Sequence, residues 1–208
     1  MSAKEGAGGA RRGPKAERSE TTRAALVSAA RELFAERGYA AVGTEEVVHR
    51  AGVTRGALYH HFRDKRDLFR AVYEQIEQEM VEAVAAQMAG SPSPDPWERI
   101  AIGTRAFLDA CSDPAMRRIG LLDGPAVLGW VKWREIGAKY ALGLVTAGLQ
   151  AAKDAGELRS GDVKALAHLM LGTLGEAAML VANADDPLAA REEVERALLD
   201  VLDGLKGP

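Results

Sequence analysis

The sequence contains one cysteine, Cys111, so no internal disulfide is available. It contains one asparagine, Asn183, and the residues after it form no glycosylation triplet. Aromatic residues make up 5% of the chain, and the eight prolines leave long uninterrupted stretches. Alternating β-branched runs are nearly absent, which excludes a sandwich or barrel. Residues 1–18 are rich in Gly, Ala and Arg and have no apolar core of the kind a secretory signal needs. The most apolar stretch, Ala165–Ala184, carries His168 and Glu176 and reads as a buried helix rather than a membrane span. No phosphate loop, HExxH or GxSxG occurs, so enzyme chemistry has no visible seat and no cofactor is expected. A cytoplasmic protein with no membrane partner is the expectation.

The 208 residues are 47% apolar and 27% charged, which suffices for a sizeable core. The net charge of −3 conceals an imbalance. Residues 1–70 carry net +5, with 14 Lys/Arg against 9 Asp/Glu, and the remainder carries net −8. A basic end on an acidic body suits contact with a polyanion.

Apolar residues recur at helical spacing throughout, so the chain reads as all-α with about nine helices. Residues 1–18 are expected to be a flexible basic arm, 19–66 a three-helix unit and 67–208 a helical bundle. Leu26, Ala29, Ala30, Leu33 and Phe34 mark one face of a first helix, Glu20–Arg37, which Gly38 terminates. Thr44 is a candidate N-cap, with Glu45 and Glu46 in the first turn of a short helix. Gly52-Val53 makes a turn, and Thr54 caps a second short helix, Arg55–Phe62. A long helix is expected over Lys65–Met88, then a loop at Gly90–Pro96. Later breaks are expected at Asp113-Pro114, Gly124-Pro125, Gly156, Gly161 and Asp186-Pro187.

Cap, short helix, Ala-Gly-Val turn, cap and short helix is the sequence form of a helix-turn-helix. At about 100° per residue, Arg55, Gly56, Tyr59, His60 and Arg63 share an arc of about 140°. Leu58, His61 and Phe62 fall opposite. The exposed arc suits the major groove of double-stranded DNA. Arg55 can pair with guanine O6 and N7, Gly56 permits close approach, and Ala57 can touch a thymine methyl. Tyr59 and His60 can donate to phosphates. Lys65 adds a point charge at a helix start, and Arg11, Arg12, Lys15 and Arg18 can follow the backbone or a minor groove. The adjacent His60 and His61 point about 100° apart with no further ligand at metal spacing, so no metal site is expected.

The run AGVTRGALYHHFRDKRDLF (Ala51–Phe69), preceded by AARELFAERGY (Ala29–Tyr39), resembles the N-terminal domain of TetR-type (tetracycline-repressor-like) regulators. Asp123–Ala138 and Ala165–Ala184 resemble parts of a common C-terminal domain of that family. The resemblance implies a homodimer on a near-palindromic operator, most often a repressor, released by a small molecule bound in the C-terminal bundle. It implies that Thr44, Tyr59, His61 and Lys65 contact phosphates. Thr54, Arg55, Gly56 and Ala57 would then approach base edges, with His60 between the two roles. The phosphate role for His61 disagrees with the arc, which turns that residue inward. Val48 stands where the family often has Ala.

In the C-terminal two thirds, Phe107, Cys111, Trp130, Trp133, Tyr140, His168 and Met179 combine bulk with a few polar tips. A pocket for an apolar or aromatic inducer has this composition, and so does a plain core. His168 is the candidate polar handle. Gly172, Gly175, Ala178 and Ala182 form a stripe of small residues that suits close packing, and the helices Asp162–Ala184 and Pro187–Leu205 are expected to form a four-helix interface with a twin subunit, the alternative being packing within the monomer. An all-helical enzyme and a helical adaptor are the competing functional classes. If the arc reads DNA, Arg55→Ala costs about 1–3 kcal/mol and relaxes choice at one base position, whereas Lys65→Ala weakens all sequences alike. Operator and random DNA titrations of the two variants check this, and an equal loss on both DNAs for Arg55→Ala contradicts the base-reading role.

Overall fold

The structure is a computed structural model that describes residues 14–159 and 161–207. These residues form nine α-helices and one π-helical segment, and the only strand-like pairing among them is an isolated bridge between Leu158 and Lys206. The helices are α1 (Pro14–Arg37), α2 (Thr44–Arg50), α3 (Arg55–His61), α4 (Lys65–Gly90) and α5 (Pro96–Cys111). After them come the π segment (Met116–Asp123), α6 (Gly124–Leu128), α7 (Trp130–Asp154), α8 (Val163–Asn183) and α9 (Pro187–Asp203).

The helix starts follow local chemistry. Asp64, Asp95, Asp162 and Asp186 each accept a backbone N–H from the first turn of the helix that follows. Thr54 does the same for α3, accepting from Ala57 N at 3.2 Å. Pro96 and Pro187 occupy first-turn positions where a missing N–H costs nothing. Gly38 ends α1 with φ +77°, a left-handed conformation that favours glycine.

Several expectations need correction. Helix α1 begins at Pro14, so residues 14–18 are helical and not part of an arm; Arg11 and Arg12, like the Lys15 side chain, lie outside the described residues. Gly43, not Thr44, is the N-cap of α2, and no side chain caps that end. Gly124-Pro125 is not a break: the helical path runs through it, and the chain turns at Gly129, where φ is +81°. The boundary expected at 66 falls inside α4. Packing is continuous there as well, since one apolar cluster runs from Leu26, Phe34, Leu58 and Phe69 to Ile119, Trp133 and Ala178. Val48 is buried in that cluster.

One carbonyl of the π segment is satisfied by a side chain. In i→i−5 bonding, Pro125 would donate to Gly120 O, and proline has no N–H. The orphaned carbonyl accepts from Trp133 Nε1 at 2.8 Å instead. Gly124 lets the indole in, because a Cβ there would lie 2.9 Å from Trp133 Cδ1. The irregular turn is thereby fixed to α7.

Candidate functional site

The short helices α2 and α3 stand on α1. Leu58 and Phe62 are buried against it, while Thr54, Arg55, Gly56, Tyr59, His60 and Arg63 are exposed. The exposed arc read from the sequence is therefore present. Thr44 and Ala57 are half-buried at its margins. His61 is also half-buried: burial, then the charges of His60 and Arg23, hold its pKa below the usual imidazole value. Its position is intermediate between the inward place given by the arc and the outward place given by the resemblance.

Arg55 forms an ion pair with Glu45 at 3.0 Å and lies 5.6 Å from the Tyr59 ring centre. Both ion-pair partners are about two-thirds exposed, so the pair is weak and readily exchanged for a stronger acceptor. Lys65 differs from expectation. Its ammonium lies 4.0 Å from the Tyr39 ring centre, and burial lowers its pKa. Tyr39 in turn packs with Phe34 and Phe69, at centroid separations of 5.7 and 5.2 Å.

Behind this face lies a junction that no local pattern announces. Tyr39 N donates to Asp123 Oδ2 at 2.7 Å. Arg118 Nη2 donates to Arg37 O at 3.3 Å, and its guanidinium lies across Gly38 where any Cβ would collide with it. Arg66 Nη2 donates to Leu128 O at 2.7 Å. The end of α1 and the start of α4 are thus bonded to the π segment and α6.

The other side of that segment borders a cavity of about 240 Å³ among α4, α5, α7 and α8. Phe107, Trp130 and Trp133 line it, as the sequence suggested. The Trp133 ring is buried and Trp130 is half-exposed, with ring centres 5.0 Å apart. The other four candidates are corrected. Cys111 is fully buried in the core beside the cavity, Tyr140 and Met179 pack against that core, and His168 is exposed on α8. The stripe of small residues also turns inward. Gly172 and Gly175 line the cavity, and Ala178 and Ala182 are buried within the subunit. A three-to-four spacing identifies a face but not which way the face points.

Glu77 was missed. It is 5% exposed on α4, faces the cavity, and has the Tyr73 hydroxyl one turn away. Its place within the buried stripe Val72, Tyr73, Ile76, Met80 and Val84 was the available signal. Burial raises its pKa to about 7, against a smaller opposing effect of Tyr73. Among the described residues no group of His, Cys, Asp and Glu is arranged to hold a metal ion.

Two family models match the chain: bacterial regulatory proteins of the tetR family over residues 26–72, and the tetracyclin repressor-like C-terminal domain over 97–205. The chain belongs to the TetR family. It is a DNA-binding transcriptional regulator with an N-terminal helix-turn-helix and a C-terminal helical domain. The transposon Tn10 TetC protein of Escherichia coli is 30% identical over 156 residues, which are 75% of this chain and 78% of that protein. A TetR-family transcriptional regulator of Pectobacterium atrosepticum superposes with a TM-score of 0.82 at 36% identity, covering 94% of this chain and 98% of the other. RolR in complex with resorcinol shares the fold, with a TM-score of 0.71, 24% identity and 89% of each chain covered.

The buried carboxylate generates a test within this TetR-family fold. Glu77 ionises near 4.5 when unfolded and near 7 when folded, so the unfolded chain loses its proton first. The cost of burying Glu77 is absent below about pH 4.5, grows to pH 7 and is constant above it. Glu77→Gln removes this cost, so the variant is expected to lie within about 0.5 kcal/mol of wild type at pH 4.5 and to exceed it by roughly 3 kcal/mol at pH 8. Urea melts at the two pH values measure the difference, and a pH-independent gap contradicts the assignment.

Proposed function

We propose that this regulator is a repressor that binds a near-palindromic operator as a homodimer and is released by a small apolar or aromatic ligand. The observation that carries the reading is the bonded junction between the two candidate sites. One side of the π segment and α6 holds the end of α1 through Asp123 and Arg118, and Met116 and Leu121 of the same segment line the cavity. A ligand that prefers a different position of this segment would tilt α1 and α4, and α3 with them. Linkage then requires operator DNA to weaken ligand binding by the same factor.

In this reading Arg55, Gly56, Ala57 and Thr54 approach base edges. Tyr59, His60, His61 and Thr44 contact phosphates. Lys65, held over Tyr39, stiffens the junction and adds positive potential. The two copies of α3 would lie about 34–36 Å apart, or a multiple of that.

The dimer face in this reading keeps the last two helices, α8 and α9, and uses exposed large side chains in place of the small-residue stripe. Leu169 and Leu180 of α8 and Leu188 and Val201 of α9 are exposed apolar side chains on helices that pack together. Helix α8 is apolar and long enough to cross a membrane by length and composition, with 33% of its most apolar window buried in the monomer. A second α8–α9 pair would cover the exposed side chains in a four-helix interface. The RolR complex with resorcinol lends support to an aromatic ligand in a cavity of this fold.

The test is a fluorescence-anisotropy titration with the DNA upstream of the protein's own gene, against scrambled DNA, at two salt concentrations. Sequence-dependent binding that weakens steeply with salt is expected. Equal, weak binding of both DNAs contradicts self-regulation through α3.

A further inference from the structure

We propose that the homodimer is centred on α8, which crosses the α8 of a second copy at Gly172 so that His168 of each subunit meets Glu176 of the other. The inference rests on the homodimer reading and adds the register and the charge pair that hold the two copies.

Helix α8 leaves a whole side uncovered. Its buried residues Val163, Ala167, Met170, Ala177 and Val181 face the other helices of the subunit. At about 100° per residue, Ala165, His168, Leu169, Gly172, Gly175 and Glu176 share an arc of about 120° on the opposite side. Ala165, His168, Leu169 and Glu176 are exposed, and the two glycines are half-buried between this face and the cavity. The neighbouring face of α9 is more polar. Glu192, Glu193, Arg196 and Asp200 stand exposed between Leu188 and Val201. The apolar centre of the uncovered surface therefore lies on α8, and α9 flanks it.

The α8 face is complementary to itself. Two helices that cross antiparallel about a two-fold axis at Gly172 set positions equally far on either side of it against each other. Four residues either way are His168 and Glu176, and an imidazole N–H donates to a carboxylate whether or not the ring is charged. Three residues either way are Leu169 and Gly175. An exposed large side chain there meets a position with no side chain, where a Cβ would find nothing within 4 Å in the subunit. Seven residues either way are Ala165 and Met179, small against large. Gly172 itself, equally clear of neighbours, leaves the axis open to close approach. A crossing one turn earlier, at Leu169, would put two leucines at the closest approach. One turn later, at Glu176, it would oppose two carboxylates. With the axis at Gly172, a second copy satisfies each pair twice, once in each direction.

Cysteine cross-linking and charge exchange on the full chain test the proposal. Sedimentation velocity of the wild type is expected to show a dimer. Only a residue on the axis meets its own copy, so Gly172→Cys is expected to form an intersubunit disulfide under mild oxidation, the native Cys111 being fully buried. Leu180→Cys lies about 24 Å from its copy in this register and is expected to form none. The charges report independently of any new cysteine. His168→Glu alone and Glu176→Lys alone each set like charges across the axis at pH 6, whereas one chain of each kind has an opposite pair on both sides. Their co-expressed mixture is expected to favour the heterodimer at least about tenfold over the statistical ratio in native mass spectrometry. A wild type that sediments as a monomer contradicts the homodimer itself. A dimer that cross-links through Leu180→Cys and not through Gly172→Cys, or a statistical mixture of the two charge variants, keeps the homodimer and overturns this register.

Discussion

Asp123 is the carboxylate at the junction between the N-terminal helices and the bundle. It accepts the Tyr39 amide immediately after α1 ends, where the backbone has just passed through the left-handed region at Gly38. Arg118, one turn earlier, closes over Gly38 and reaches the Arg37 carbonyl. The fit depends on both partners. Glycine is needed for its φ and for the absent Cβ, and the π segment is needed to present Arg118 and Asp123 together. That segment is in turn held by Trp133 through the carbonyl that Pro125 leaves free. The contacts form a continuous series from the carbonyl that Pro125 leaves free, through the π segment, to the end of α1.

The cavity adjoins this series at Trp133, which anchors the π segment and also forms part of the wall. A displacement of its ring is felt in the Gly120 carbonyl, and hence in the turn that carries Asp123. Glu77 enters from the other side, on α4. The two routes converge on the start of α4, where Lys65 lies over Tyr39 and Arg66 holds the end of α6. Each contact is individually modest. Their effect comes from sharing a rigid core that has no gap between the N-terminal helices and the bundle.

Much of this was legible in the sequence where the signal was local. Thr54 as a cap, the buried Leu58 and Phe62, and the exposed Arg55 arc follow from helical period and capping chemistry over a few residues. The stretch Ala51–Phe69 carried the family resemblance for the same reason. What was not legible depended on contacts far apart in the chain. Tyr39 and Asp123 are 84 residues apart, and nothing at either position announces the other. Gly124-Pro125 reads as a break by composition, yet the π turn absorbs it. His168, in an apolar run, suggests a polar handle and is exposed, whereas Glu77 is buried although glutamates on long helices usually face water. The inward turn of Ala178 and Ala182 shows the same limit, since period alone does not orient a face.

If the junction at Asp123 sets the orientation of α3, the separation of the two α3 helices depends on it. Spin labels on a cysteine introduced at His60 measure it directly in the dimer, because the native Cys111 is fully buried. The account predicts a single narrow distance distribution between the two labels, which broadens and shifts when Asp123→Ala is added. An identical distribution in the two proteins would show that the recognition helices are positioned without the junction and would contradict the account.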